Sequence, residues 1–180
     1  MALGCITGRF QPLHRQHTGL LEIALEACTH VIVAVTNPDT GARHEESTSA
    51  HRHTAAANPF TYYERVRLIQ AAARENGYGD RITIVPFNMT QPALWPQYVP
   101  LHAIQFVRAY SDWERQKAQR FERAGYAVTL LIGDALDRVS AGEVRARLNA
   151  GDERWHALVP TATIPLLEGL LACAPLNERR

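Results

Sequence analysis

A chain of 180 residues with 46% hydrophobic side chains is long enough to bury one ordinary core. Nineteen Lys plus Arg against eighteen Asp plus Glu leave a net charge of +1, so overall charge demands neither a nucleic-acid nor a membrane partner and any anion site is local. Cys5, Cys28 and Cys173 are odd in number and far apart, which excludes a disulfide framework; without a leader pattern or an apolar run near the ~20 residues that span a bilayer, a single cytoplasmic domain over 1–180 is expected.

Residues 3–7 form a short apolar run that stops at Gly8. A polar, proline-containing loop and an apolar-periodic stretch from about 18 to 28 follow, which reads as strand, loop, helix. Residues 30–36 are β-branched and continuous, as in a strand buried on both faces of a parallel sheet. From 38 to 59 there is almost no large apolar residue, and a long mobile loop around 38–58 is expected. Its His44, Glu45, Glu46, His51 and His53 are too irregularly spaced to predict a zinc site, so a solvated lid is expected.

Thr61 with Glu64 three residues on predicts a capping box opening an amphipathic helix to about 76, closed by Gly77 and Gly79. Residues 82–86, 103–107 and 126–132 read as strands, 112 to about 124 as a charged helix, and 140 to about 149 and 161 to about 172 as the last two helices. Alternating elements of this kind predict an α/β, Rossmann-like doubly wound parallel sheet of about five strands flanked by helices. Ligands are then expected at the carboxyl ends of the strands, where strand order reverses.

The loop facing that crevice is Gly8-Arg9-Phe10-Gln11-Pro12-Leu13-His14-Arg15-Gln16-His17. His14 and His17, between a strand end and a helix start, put imidazoles and open helix N–H groups around one anion-sized space. Gly8 lets a triphosphate approach the backbone, and the Arg9 guanidinium can clamp two phosphate oxygens. Because Lys117 is the only lysine, the phosphate site is expected to use guanidinium forks, imidazoles and backbone N–H groups. Downstream, Ser140 reads as a helix N-cap, Gly142 leaves backbone N–H groups open, and Arg145 adds charge one turn later. Asn58, Phe60 and Thr61 open a helix facing the same crevice, and read either as part of a second-substrate pocket or as a capping motif alone.

The segment from Gly8 to His17 resembles the G-R-F-Q-P-F-H-x-G-H signature of the archaeal-type nicotinamide mononucleotide adenylyltransferases. Asn58-Pro59-Phe60-Thr61 with Glu64-Arg65, then Leu94-Trp95, then Ser140 to Arg145 ahead of Trp155 and Leu158-Val159-Pro160, fall in that family's order. The resemblance therefore covers nearly the whole chain. It implies that His14, His17 and Arg9 act on the triphosphate, that Ser140 and Arg145 hold its β- and γ-phosphates, and that Gly8, Phe10, Gln11 and Gly142 complete the nucleotide site. Asn58, Phe60, Thr61, Asn88 and Trp95 would form the acceptor pocket, with Trp95 against the pyridine ring. It also implies Mg²⁺ held through substrate oxygens and water, with no protein metal ligand, and a homo-oligomer.

Four features depart from the family pattern. Gln16 stands where the signature has glycine, Gly142 where threonine is usual, Asn88 near the place of an aspartate after the third strand, and the loop from 38 to 57 is longer. The expected reaction is transfer of AMP from ATP to nicotinamide mononucleotide, giving NAD and pyrophosphate by in-line attack of the acceptor phosphate. The alternatives are the same chemistry on nicotinate mononucleotide or another phosphorylated small molecule, with CTP as a further donor, and a non-catalytic nucleotide sensor.

Overall fold

The computed structural model describes residues 2–43 and 53–179. Its five strands are β1 (Leu3–Gly8), β2 (His30–Thr36), β3 (Ile82–Phe87), β4 (Ile104–Ala109) and β5 (Val128–Ile132). All pair in parallel, in the order β3-β2-β1-β4-β5. Five helices of three turns or so accompany them: α1 (Arg15–Ala27), α2 (Tyr62–Glu75), α3 (Asp112–Arg123), α4 (Ala141–Asn149) and α5 (Ile164–Cys173). The doubly wound α/β sheet expected from the sequence is the architecture found.

Both faces of β2 are covered, which is why its apolar run is unbroken. Val31, Val33 and Val35 pack with Leu21, Leu25, Ile69 and Ala72 of α1 and α2. Ile32 and Ala34 face the other way, toward Trp95, Ala118 and Phe121 from a short 3-10 segment (Pro92–Gln97) and α3. Each such large apolar side chain contributes about 1.5–3 kcal/mol on burial. A third cluster joins Phe60 and Leu68 of the α2 region to Val144, Leu148, Trp155 and Leu167, so the C-terminal helices pack behind α2.

Helix boundaries follow their caps. Thr61 Oγ1 accepts from the Glu64 N–H and the Glu64 carboxylate accepts from the Thr61 N–H, the reciprocal pair expected from the sequence. Gly77, at φ 71°, ends that helix in the left-handed region. Helix α1 begins at Arg15, three residues earlier than periodicity suggests, because His14 is its N-cap and the His17 ring takes the His14 N–H. The last helix begins late: residues 161–163 form a 3-10 turn before Ile164. The 3-10 segments Pro92–Gln97 and Glu153–Leu158 were not anticipated.

Residues 44–52, the middle of the loop expected to be a mobile lid, with its His44, Glu45, Glu46 and His51, lie outside the described residues. Its flanks carry two short 3-10 turns, Thr40–Ala42 and Ala55–Ala57. Among the described residues, no helix is long and apolar enough to cross a membrane.

Candidate active site

Strand order reverses between β1 and β4, and the carboxyl ends of these strands open into a cleft of about 400 Å³. Its walls come from the β1–α1 loop, the ends of β2 and β4, the inner side of α3 and the start of α4. Gly8, Arg9, Phe10, Gln11, His14, His17, Ser140, Gly142 and Arg145, nine residues separated by more than 120 positions in the chain, meet there as the sequence led us to expect.

At the first of these residues a close approach favours glycine. The Phe10 ring folds back over Gly8, where a Cβ would lie 3.0 Å from it, and Phe10 itself is held at φ 51°. Phe10 then meets the His17 ring edge-on at 4.8 Å between centroids. The two imidazoles stack, 3.7 Å apart and tilted by 30°. Since His17 Nδ1 accepts from the His14 backbone N–H at 3.3 Å, a neutral His17 carries its proton on Nε2. Burial, with help from Arg15 and Arg138, pushes His14 down to about 3. Burial, with the neighbouring His14, Lys117, Arg9 and Arg108, drives His17 well below its usual range too. Both rings are therefore neutral at pH 7 in the open cleft, where they offer N–H donors.

The positive charge comes from elsewhere. Arg9, Arg108, Arg138, Arg145 and Lys117 all line the cleft. The Arg145 Nη1 donates to the Gln11 carbonyl at 2.6 Å, which joins α4 directly to the β1–α1 loop. Arg138 pairs with Glu114 at 3.4 Å and lies 5.4 Å over the Tyr110 ring. Ser140 Oγ accepts from the Glu143 N–H at 3.1 Å, so the serine caps α4 while facing the cleft. Gln16, in the place of a glycine, donates to the Asp137 carbonyl and ties the start of α1 to the loop before α4. Arg65, 1% exposed, donates to the carbonyls of Arg9, Thr36, Asn37 and Thr61 and so fixes the ends of β1 and β2 against α2.

The acceptor side differs from the expectation. Trp95 is 1% exposed, packs against Phe87, Phe121 and Tyr126, and donates its indole N–H to the Asn88 carbonyl at 2.8 Å. It is core, because the segment after β3 turns it under the sheet rather than over the cleft. The Asn88 carboxamide is engaged by the Thr90 N–H and hydroxyl. Asn58 donates to the Thr54 carbonyl, Phe60 is buried in the C-terminal cluster, and Thr61 caps α2. None of these five lines the cleft among the described residues; Thr36, Asn37, Met89, Thr90 and Trp113 do.

Lys117, which the sequence alone placed in no site, lies in the cleft wall with its Nζ on the Thr7 carbonyl and 5.9 Å from the Trp113 and Phe121 rings. The signal was in the sequence: Trp113, Lys117 and Phe121 recur every four residues, which puts the lysine on the apolar stripe of a charged helix. Arg108 and Arg138 were missed as well, having no motif around them.

A parallel sheet with a cationic cleft at its switch point defines a nucleotide-handling α/β protein. The model of the cytidylyltransferase-like family matches residues 5–146, and the chain belongs to that family of nucleotidyltransferases. It is 38% identical over 160 residues to the phosphonoformate cytidylyltransferase of Streptomyces viridochromogenes, covering 88% of this chain and 86% of that one. It is 30% identical over 169 residues to the nicotinamide-nucleotide adenylyltransferase of Pyrococcus horikoshii, covering 93% and 83%. In fold it is similar to a bifunctional NMN adenylyltransferase/ADP ribose pyrophosphatase of Francisella tularensis complexed with AMP and Mn ion, with a TM-score of 0.68 at 16% identity. That match covers 98% of this chain, which spans about half the length of the Francisella protein.

Proposed function

We propose that the chain transfers the cytidylyl group of CTP to a small acid bearing a phosphonate or phosphate, with release of pyrophosphate. The observation that carries this reading is the acceptor side of the cleft, where Lys117 and polar chain ends stand and the Trp95 ring does not. The identity to the Streptomyces cytidylyltransferase supports both the donor and a compact anionic acceptor.

An acceptor oxygen forms a bond to the α-phosphorus as the bond from that phosphorus to the bridging oxygen of the β-phosphate breaks, and pyrophosphate leaves with the electron pair. The chain's part is positioning and charge stabilisation. His17 Nε2–H and His14, with Arg9 and Arg145, would face the phosphates, and the Ser140 cap and the Gly142 backbone would receive the far end. As charge builds on the phosphates, the attraction opposes the burial that keeps the imidazoles neutral, so the rings gain the capacity to protonate when the triphosphate is bound. The carboxylate facing the cleft, Glu114, is held by Ser111 and Arg138. This donor set suits Mg²⁺ that arrives on the triphosphate and keeps substrate oxygens and water as ligands. When bound there it would neutralise polyphosphate charge.

A second reading, adenylyl transfer from ATP to nicotinamide mononucleotide, is favoured by the 30% identity to the Pyrococcus enzyme. Pyrophosphate release measured over CTP and ATP against phosphonoformate, nicotinamide mononucleotide and nicotinate mononucleotide decides between them. Turnover is expected with CTP and phosphonoformate. Turnover restricted to ATP with a pyridine mononucleotide would replace the first reading by the second, and thermal stabilisation by nucleotides without any pyrophosphate would support a binding role alone.

A further inference from the structure

The two edges of the sheet are finished differently. β3 carries Pro86, which has no N–H to offer a further strand, and none of its large apolar side chains is exposed. β5, Val128-Thr129-Leu130-Leu131-Ile132, has neither a proline nor a charge, and among the described residues β4 is the strand it pairs with, on one side. Of the seven large hydrophobic side chains exposed among the described residues, Leu130 and Ile132, the latter at 66%, lie on this strand and Leu136, at 94%, just beyond it. Exposed Leu101 reaches the same margin from the other end, 4.0 Å from where a Cβ on Gly125 would stand. An uncharged edge that presents apolar side chains is a template for another strand.

What fits this edge is the same edge of a second copy. The register of β4 with β5 sets Leu130 beside Val107 and Ile132 beside Ala109, on the sheet face where Val107 packs with Ala118 and Phe121 of α3. Two β5 strands running antiparallel about a two-fold axis perpendicular to the sheet bring both copies of α3 onto that one face, over the exposed side chains. Pairing all five residues centres the contact on Leu130 and sets Val128 opposite Ile132 of the second copy. Charge favours this direction. The chain entering β5 carries Arg120 and Arg123 with one acid, Glu122, and the chain leaving it carries Asp134 and Asp137, while Arg138 is turned to Glu114. Antiparallel pairing sets each basic end beside an acidic end, whereas parallel pairing sets like ends together.

We propose that β5 is the contact edge of a symmetric dimer, in which two copies of this chain join their five-stranded sheets into one of ten strands. Backbone pairing of β5 with β5 forms the seam, Leu130 and Ile132 fill it beneath the two α3 helices, and Arg123 faces Asp137 of the second copy at each end. None of Leu101, Leu130, Ile132 and Leu136 lines the cleft, so each copy keeps its own site. The seam braces that site from outside: Gly133, the residue after the strand, lies so close under the Tyr110 ring that a Cβ would stand 2.2 Å from it, and Tyr110 is part of the cleft wall. The dimer does not depend on which nucleotide or acceptor the cleft takes.

The test is analytical ultracentrifugation of the full chain over about 1–100 μM, with far-UV circular dichroism to check the fold of each variant. The wild type is expected to sediment as a species of twice 20.1 kDa at the upper concentrations. Ile132→Lys puts a charge on the exposed edge and is expected to sediment as a single chain with unchanged dichroism. Tyr63→Ser, at an equally exposed position on α2, is expected to leave the dimer intact. Arg123→Glu is expected to weaken the dimer about tenfold, since symmetry doubles the loss of one surface pair. Adding Asp137→Arg to it is expected to restore most of that loss, and this charge swap keeps the test open if Ile132→Lys disturbs the fold. A wild type that stays a single chain throughout overturns the proposal, as does a dimer that survives Ile132→Lys or is lost in Tyr63→Ser. A double variant no stronger than Arg123→Glu overturns the antiparallel seam.

Discussion

The Gln11 carboxamide and the Phe60 backbone exchange two hydrogen bonds: Nε2 donates to the Phe60 carbonyl and Oε1 accepts from the Phe60 N–H, each at 2.9 Å. Gln11 is 1% exposed, and its side chain splices the β1–α1 loop to the start of α2. Its backbone carbonyl meanwhile takes the Arg145 guanidinium. The β1–α1 loop, the start of α2 and helix α4 are thus registered through one residue.

Gln11→Ala leaves the Phe60 N–H and carbonyl buried without that partner. The expected cost is about 2–4 kcal/mol, or roughly 5–15 °C in melting temperature for a chain of this length. Thermal denaturation followed by circular dichroism checks it, and a melting temperature unchanged within a degree would show that the splice carries no stability.

His17→Ala removes an N–H donor from the wall of the cleft. Turnover is expected to fall by about 10²–10³, with acceptor KM within a few-fold, since the interaction strengthens as charge develops. Steady-state kinetics on the proposed substrates reads both numbers, and an unchanged kcat removes the residue from the mechanism.

Two buried neutral imidazoles make stability depend on pH. The folded His14 titrates at about 3 against an ordinary 6.5, and His17 is lowered as well. Between those values the unfolded chain binds more protons, so their contribution is complete above pH 6.5 and is lost as pH falls toward the folded value. Urea denaturation at pH 7 and pH 5 should therefore give a marked loss of stability in the wild type and a smaller one in His14→Gln. Equal losses in the two proteins would contradict the assignment.

Gly142 has room for a side chain. A Cβ there would meet Ser140 Oγ at 3.6 Å and Arg145 Nη2 at 3.9 Å, ordinary contact, and the residue is not in the left-handed region. Gly142→Thr is expected to keep the fold and add a hydroxyl to the cleft, lowering the nucleotide KM by about three- to tenfold. Kinetics at varied CTP measures this; a higher KM would mean that the site needs bare backbone there.

How far the sequence reaches is clear from particular residues. The β2 run was legible because a strand covered on both faces is apolar throughout, and the Thr61–Glu64 box because its partners are local. The start of α1 was hidden since the capping groups are imidazoles, which cap helices too rarely to serve as a signal. Trp95 was misassigned for a different reason: a tryptophan after a strand looks the same in sequence whether the chain turns it under the sheet or over it. Lys117 was overlooked when α3 was read as a charged helix, although its spacing from Trp113 and Phe121 marks the apolar stripe. The two halves of the cleft, by contrast, were recovered together because each lies at a strand or helix end where the backbone itself offers N–H groups.

Arg65 bears on how the cleft breathes. With one guanidinium holding carbonyls from the ends of β1 and β2 and from α2, local fraying at that corner would strand a cation in the protein interior. The corner therefore opens only as a cooperative unit with α2, and its amides should exchange with solvent deuterium at a rate close to that of global unfolding. Any adjustment to a bound substrate then falls to the segments Arg65 does not hold.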